Sequence, residues 1–140
     1  MVSRFFAYSN NLENYKGQVL SFIDEYISSE ENDWSDVKAT KYKTEFINVM
    51  KFVNKHFERG FQKDDRDQTP NVRFEALAVG INLALRENPN LVLNDSTVRE
   101  LLGSEDFKEW TTTDAANNRK KVYARINGVK NYLLTGNFDV

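Results

Sequence analysis

Phe74-Glu75-Ala76-Leu77-Ala78-Val79-Gly80-Ile81-Asn82-Leu83-Ala84-Leu85 is the stretch on which the fold turns, and between Ala76 and Leu85 only Asn82 is polar. At about 100° per residue, Phe74, Leu77, Ile81 and Leu85 form one bulky face of a helix. Ala76, Gly80 and Ala84 form a small-residue stripe on a second face, and Glu75, Asn82 and Arg86 share one narrow polar wedge. A helix apolar over most of its circumference must be enclosed by other elements. The expectation is an all-α, single-domain bundle of about five or six helices around a buried central helix near residues 72–87. The apolar run is far too short to span a bilayer.

Immediately upstream, Gln62 to Asn71 (QKDDRDQTPN) is polar throughout with one proline and reads as an exposed loop. Downstream, Pro89 stops the central helix and Leu91-Val92-Leu93 reads as an extended segment crossing the surface of the core. Thr97-Val98-Arg99-Glu100 has the spacing of a capping box that opens a short helix through Leu102, and Ser104 to Trp110 reads as another short helical turn.

Towards the N-terminus, a helix is expected from Ser35 to Arg59, with Tyr42, Phe46, Val49, Met50, Val53 and Phe57 facing the core and Gly60 as its left-handed stop. Before it, Tyr15, Val19, Phe22, Ile23, Tyr26 and Ile27 recur at three- and four-residue spacings, which predicts a helix starting near Leu12 and reaching about residue 28. Residues 24–36 hold six acids and no Lys or Arg. They read as a solvated loop with acids placed at the next helix's N-terminus, or, more sharply, as a magnesium site, which would need carboxylates converging from fixed positions. Arg4 to Tyr8 reads as one or two helical turns tucking Phe5 and Phe6 inward.

At the other end, Thr111-Thr112-Thr113-Asp114 offers several N-caps for a last helix whose seam is Ala115, Val122, Ile126, Val129 and Leu133, ended by Gly136. Residues 115–134 contain Arg119, Lys120, Lys121, Arg125 and Lys130 and no acid. Thr111, Thr112 and Thr113 with these five bases are the candidate contacts to a phosphate or a nucleic-acid backbone, because hydroxyls, free N–H groups and cations meet there. The simpler reading makes Thr113 or Asp114 a cap and the bases a solvated face. Arg119 falls in the seam, so it must reach out to water or pair with a carboxylate inside.

Composition narrows the rest. The 140-residue chain is 40% hydrophobic and 29% charged with a formal net charge of −2, ordinary for a soluble globular protein and unlike a generally basic nucleic-acid binder. Without cysteine there is no disulfide, no thiolate metal site and no cysteine nucleophile. The apolar run near Met1 is too short for a signal peptide, so a cytoplasmic protein is expected. His56 is the single histidine and adjoins the core face of its helix, a position that suits a structural residue better than a base. No nucleophile-elbow glycines, Walker loop or dinucleotide fingerprint occurs. Residue types and spacings point to no catalytic, cofactor-binding or metal-ligating set.

Several segments taken together do carry a resemblance: Arg4-Phe5-Phe6-Ala7-Tyr8 with Tyr15-Lys16-Gly17; Val72 to Gly80; Glu105-Asp106-Phe107-Lys108-Glu109 with Thr111 to Ala115; and Arg125-Ile126. In this order they resemble the C-terminal helical region of the GmrSD-type family, bacterial proteins with a ParB-like nuclease or NTPase domain, often encoded with restriction and phage-defence systems. The family's Asp-Gly-Gln-Gln-Arg type motif and the histidine-centred motif of its HNH-bearing members are absent here. The resemblance therefore implies a non-catalytic helical accessory domain, the C-terminal part of a longer or split protein, whose partner is the ParB-like catalytic domain in cis or in trans. It transfers no catalytic residue and no cofactor. The alternatives are a nucleic-acid contact domain using the last helix and a self-contained enzyme with a carboxylate or metal site.

Overall fold

The computed structural model describes residues 1–63, 68–112 and 117–139, and among them it contains helices and no strand. The helices are α1 (Val2–Asn11), α2 (Val19–Asn32), α3 (Asp36–His56), α4 (Asn71–Glu87), α5 (Asp95–Gly103), α6 (Glu105–Trp110) and α7 (Arg119–Thr135), with a 3-10 turn at Leu12–Asn14. Seven rather than five or six result because the segments around Arg4–Tyr8 and Ser104–Trp110 are helices of ten and six residues. None of these helices is long and apolar enough to cross a membrane.

The central post is α4. Every residue from Arg73 to Asn82 is buried, and Ala84 as well, as the all-round apolar pattern requires. Its small stripe meets α7, the most extensive helix–helix contact in the molecule. A Cβ built on Gly80 would lie 2.6 Å from Val129 Cγ1 and 3.2 Å from the Ile126 carbonyl oxygen, so only glycine permits this approach. The seam residues Val122, Ile126, Val129 and Leu133 are all buried, while Ala115 lies outside the described residues. Gly136 closes α7 at φ +77°, its N–H donating to the Tyr132 carbonyl at 2.8 Å.

The polar wedge of α4 faces α1, with Glu75 and Asn82 buried and Arg86 at its exposed end. Arg4 bonds Glu75, Asn82 Nδ2 donates to Ser9 Oγ at 3.1 Å, and Arg86 donates to the Ser9 carbonyl at 2.8 Å and to Asn10 Oδ1 at 2.6 Å. α1 thus partners polar side chains along three turns of α4, and α3 and α7 add to it: Arg86 also pairs with Glu45 at 2.6 Å, and the buried Glu75 lies 3.7 Å from Arg125.

Several expected boundaries move. Only a 3-10 turn begins at Leu12, not the long helix: Gly17, at φ +100°, breaks the chain beside the backbone of Asn118, and α2 starts only at Val19. The acids of residues 24–32 belong to α2 rather than to a loop, because Tyr26 and Glu30 continue the helix to meet α3 through Tyr42 and Lys38. Ser35 caps α3 by accepting from the Lys38 N–H at 3.2 Å. That helix ends at His56 instead of Arg59, since Phe57 turns extended to bury its ring; Gly60, at φ +59°, shapes the turn that follows. The expected capping box at Thr97 gives way to Asn94, whose side chain accepts from the Thr97 N–H at 2.8 Å, so α5 begins three residues earlier. Of the polar loop before α4, residues 64–67 lie outside the described residues.

Candidate interaction groove

The residues expected to hold a phosphate do not form one surface. Thr111 is buried at the end of α6, with its N–H bonded to the Phe107 carbonyl at 3.1 Å and its hydroxyl donating to the same oxygen at 2.8 Å. The Thr112 hydroxyl turns back to the Glu109 carbonyl, and Thr113 and Asp114 lie outside the described residues. The cap of α7 is Asn118, which accepts from the Lys121 N–H at 2.9 Å, so the helix starts well after the threonine run. Arg119 opens the helix, reaches over the Tyr123 ring at 4.9 Å and donates to the Glu13 carbonyl. Lys121 pairs with Glu109 at 3.5 Å and Lys130 with Glu87 at 2.8 Å, while Lys120 is exposed. At about 100° per residue, Arg119, Lys120 and Lys121 necessarily point in three directions.

Arg125 is the base that goes inside. It is 1% exposed, donates to Asn117 Oδ1 at 2.7 Å and lies 3.7 Å from Glu75 Oε2, whose other oxygen accepts from Arg4. Burial lowers the Arg125 guanidinium's pKa, and the Glu75 carboxylate opposes that shift. Tyr8 and Tyr15, with ring centroids 5.4 Å apart, complete the cluster. Burial raises the pKa of both phenols, and at Tyr8 the charge of Glu75 adds to it. The cluster joins α1, α4 and α7, and its side chains, the quarter-exposed Arg4 apart, are shut off from solvent. It carries charge but offers a substrate no way in.

Elsewhere, the His56 ring packs 4.6 Å from Phe52, and burial followed by the charge of Lys55 lowers its pKa. Among the described residues, no group of three or more His, Asp or Glu side chains converges as a metal site would need. In particular, the acids of residues 24–33 are distributed along α2 and the turn after it, and Glu30 and Asp33 are both engaged by Lys38, at 3.4 and 2.9 Å.

What stands open is a groove of about 710 Å³ between α1, α2 and α3. Its wall is aromatic: Phe6 stacks on Tyr42 at 5.1 Å, and Trp34 meets the edge of Tyr42 at 5.8 Å. Beneath lies a chain of hydrogen bonds, from Asn10 to the Tyr26 hydroxyl at 2.8 Å, from Tyr26 to Tyr42 at 3.3 Å, and from Tyr42 to Glu30 at 3.0 Å. Burial raises the Tyr42 phenol's pKa, and its bonds to Tyr26 and Glu30 add to that. The polar groups of the floor are thus satisfied internally, leaving an apolar surface. At the mouth, Val2, Ile27 and Trp34 are exposed by 51%, 38% and 53%. Pockets of this size and lining bind small molecules or the anchor side chains of a partner.

The sequence shows Phe6, Tyr26, Tyr42 and Phe46 as inward-facing residues but not that a gap remains between them. Trp34, directly before the Ser35 cap, was the available signal: a tryptophan at a helix entrance has little of its own chain to cover it. Comparison with protein-family models, with curated proteins and with solved structures finds no match to this chain.

Proposed function

We propose that this domain is a non-catalytic interaction and regulatory module of a GmrSD-like, defence-associated protein, and that a helical segment of a ParB-like catalytic domain, in cis or in trans, docks in the groove between α1, α2 and α3. The observation that carries the docking role is the groove itself: aromatic walls, satisfied polar groups beneath and uncovered apolar side chains at the mouth. Support for a non-catalytic role is that the buried charge cluster is closed to a substrate, while in the groove the Tyr42 hydroxyl is already bonded to Glu30. Tyr8, Tyr15 and Arg125 are sealed beside Glu75, and groups that exchange protons with a substrate must reach it. The family context rests on the resemblance of the segments quoted above, and the ParB-like partner rests on it too.

The test is calorimetric titration of the domain with a ParB-like catalytic domain of that family. Binding is expected, weakened about tenfold or more by Trp34→Ala, as for a central aromatic anchor. Equal affinity of wild type and Trp34→Ala, or no binding to the catalytic domain, overturns the assignment. The isolated domain should neither hydrolyse nucleoside triphosphates nor cut plasmid DNA with magnesium or manganese. Cleavage that survives repurification and disappears on mutating a carboxylate would show a catalytic role instead.

A further inference from the structure

The groove has an electrical polarity as well as an apolar floor, and the two together select its occupant. Residues 17–37 carry six acids and no Lys or Arg. On α2, Leu20, Asp24, Ile27 and Glu31 follow one another at spacings of four, three and four, so they share one outward stripe beside the groove. All four are exposed, and Leu20 is 76% so. An apolar and acidic row of this kind continues the groove's mouth along the helix. On the opposite wall, α3 contributes Lys43 at the groove and Lys38, whose ammonium is taken by Glu30 and Asp33. The α2 side is therefore net negative, and the one lysine lining the groove lies across from it.

We infer that the occupant is an amphipathic helix with a basic flank, lying along α2 with its apolar side chains in the groove and its Lys or Arg residues facing Asp24 and Glu31. This rests on the docking role proposed above and adds the chemistry of the docked segment. A small apolar molecule would fill the cavity but leave Leu20, Val2 and the exposed part of Trp34 uncovered. A helix presenting anchors at i, i+3 or i+4, and i+7 covers the cavity and the stripe at once. Charge complementarity then fixes its rotation: bases towards α2, a neutral or acidic side chain towards Lys43.

The experiment is a sort of a displayed library of helical peptides with fixed apolar anchors and randomised flanks, carried out on the full chain and counter-sorted on Trp34→Ala. Expected are binders whose one flank is rich in Lys and Arg. Their affinity should fall several-fold as salt is raised over the range in which the Debye length shrinks from about 10 to about 3 Å. Sorting on the doubly reversed variant Asp24→Lys, Glu31→Lys should return acidic flanks instead; both positions are exposed, and a thermal melt confirms that the variant folds. Groove-dependent binders with neutral or acidic flanks on the wild type overturn the basic-flank assignment while leaving the docking role intact. If no peptide binds and the apolar dye anilinonaphthalene sulfonate does, lost on Trp34→Ala, the occupant is a small ligand and the helix is wrong. If neither binds, the docking role itself fails with it.

Discussion

Where α4 crosses α7, the two backbones approach until a single added carbon at Gly80 would collide with Val129; where α2 turns into α3, a gap of about 710 Å³ stands between aromatic rings. Both regions are built from helices with wide apolar faces. They differ in what covers the last apolar side: in the first a small-residue stripe admits the neighbouring helix, and in the second Phe6, Tyr42 and Trp34 hold the elements apart. Bulk at a helix contact keeps a surface open, and its absence closes one. The charged groups divide in the same way. Glu75 and Arg125 are enclosed by the closed region, whereas Glu31 lines the open one and Asp24 stands exposed beside it.

The sharpest way to break the closed region is Glu75→Ala, which removes the carboxylate beside a guanidinium that is 1% exposed. A loss of about 3–5 kcal/mol is expected in urea unfolding, with most of it recovered when Glu75→Leu is combined with Arg125→Leu, since a buried ion pair replaced by apolar groups is often near neutral. Next in size is Gly80→Leu. Overpacking against Val129 and the Ile126 carbonyl should cost about 3 kcal/mol, and a melting temperature within a degree or two of the parent would show that α7 does not lie on the small stripe.

A subtler effect is expected at the far end of α3, where His56 has a lowered pKa. A histidine whose folded pKa lies below its unfolded value binds fewer protons when folded. Its contribution to stability is therefore complete above the unfolded value of about 6.5 and is lost as pH falls through the folded pKa. Denaturation midpoints of wild type and His56→Gln, compared from neutral to mildly acidic pH, should show the flatter dependence in the variant. The smallest change belongs to the open region: Trp34→Ala should alter stability by no more than about 0.5 kcal/mol, because the ring covers little of the core. A large destabilisation there would mean that the groove is part of the core after all.

The closed region was the more legible in the sequence. The all-round apolar pattern of α4 and the seam of α7 are local signals, and they place both helices to within a residue or two except at the start of α7. That start was misplaced because Thr111, Thr112, Thr113, Asp114 and Asn118 are all competent caps, and local sequence does not rank them. Asn118 caps α7, adjoining the contacts of Asn117 to the buried Tyr15 and Arg125. The same holds for Asn94 against Thr97. Gly17 does not announce a break, because the apolar spacing runs through it uninterrupted from Tyr15 to Val19. The buried pair could not be read at all, since Glu75 and Arg125 meet across fifty residues and nothing near either one announces the other. The groove is legible only in its parts, because an opening depends on the angle between two helices and not on the pattern of either.

The polar wedge that α4 turns to α1 has a consequence in time. Arg4 and Glu75 are separated by 71 positions, Ser9 and Asn82 by 73, and Arg86 and Asn10 by 76. At a synthesis rate of about 5–20 residues per second, α1 precedes its polar partners by roughly 4–15 s. During that interval its Tyr8 can already stack on Phe22 of α2, at 5.3 Å in the finished fold, but Arg4 and Ser9 have nothing to bind. The nascent α1–α2 pair thus has ring contacts and the Asn10–Tyr26 hydrogen bond to hold it, and the arrival of α4 adds the polar contacts that complete the register.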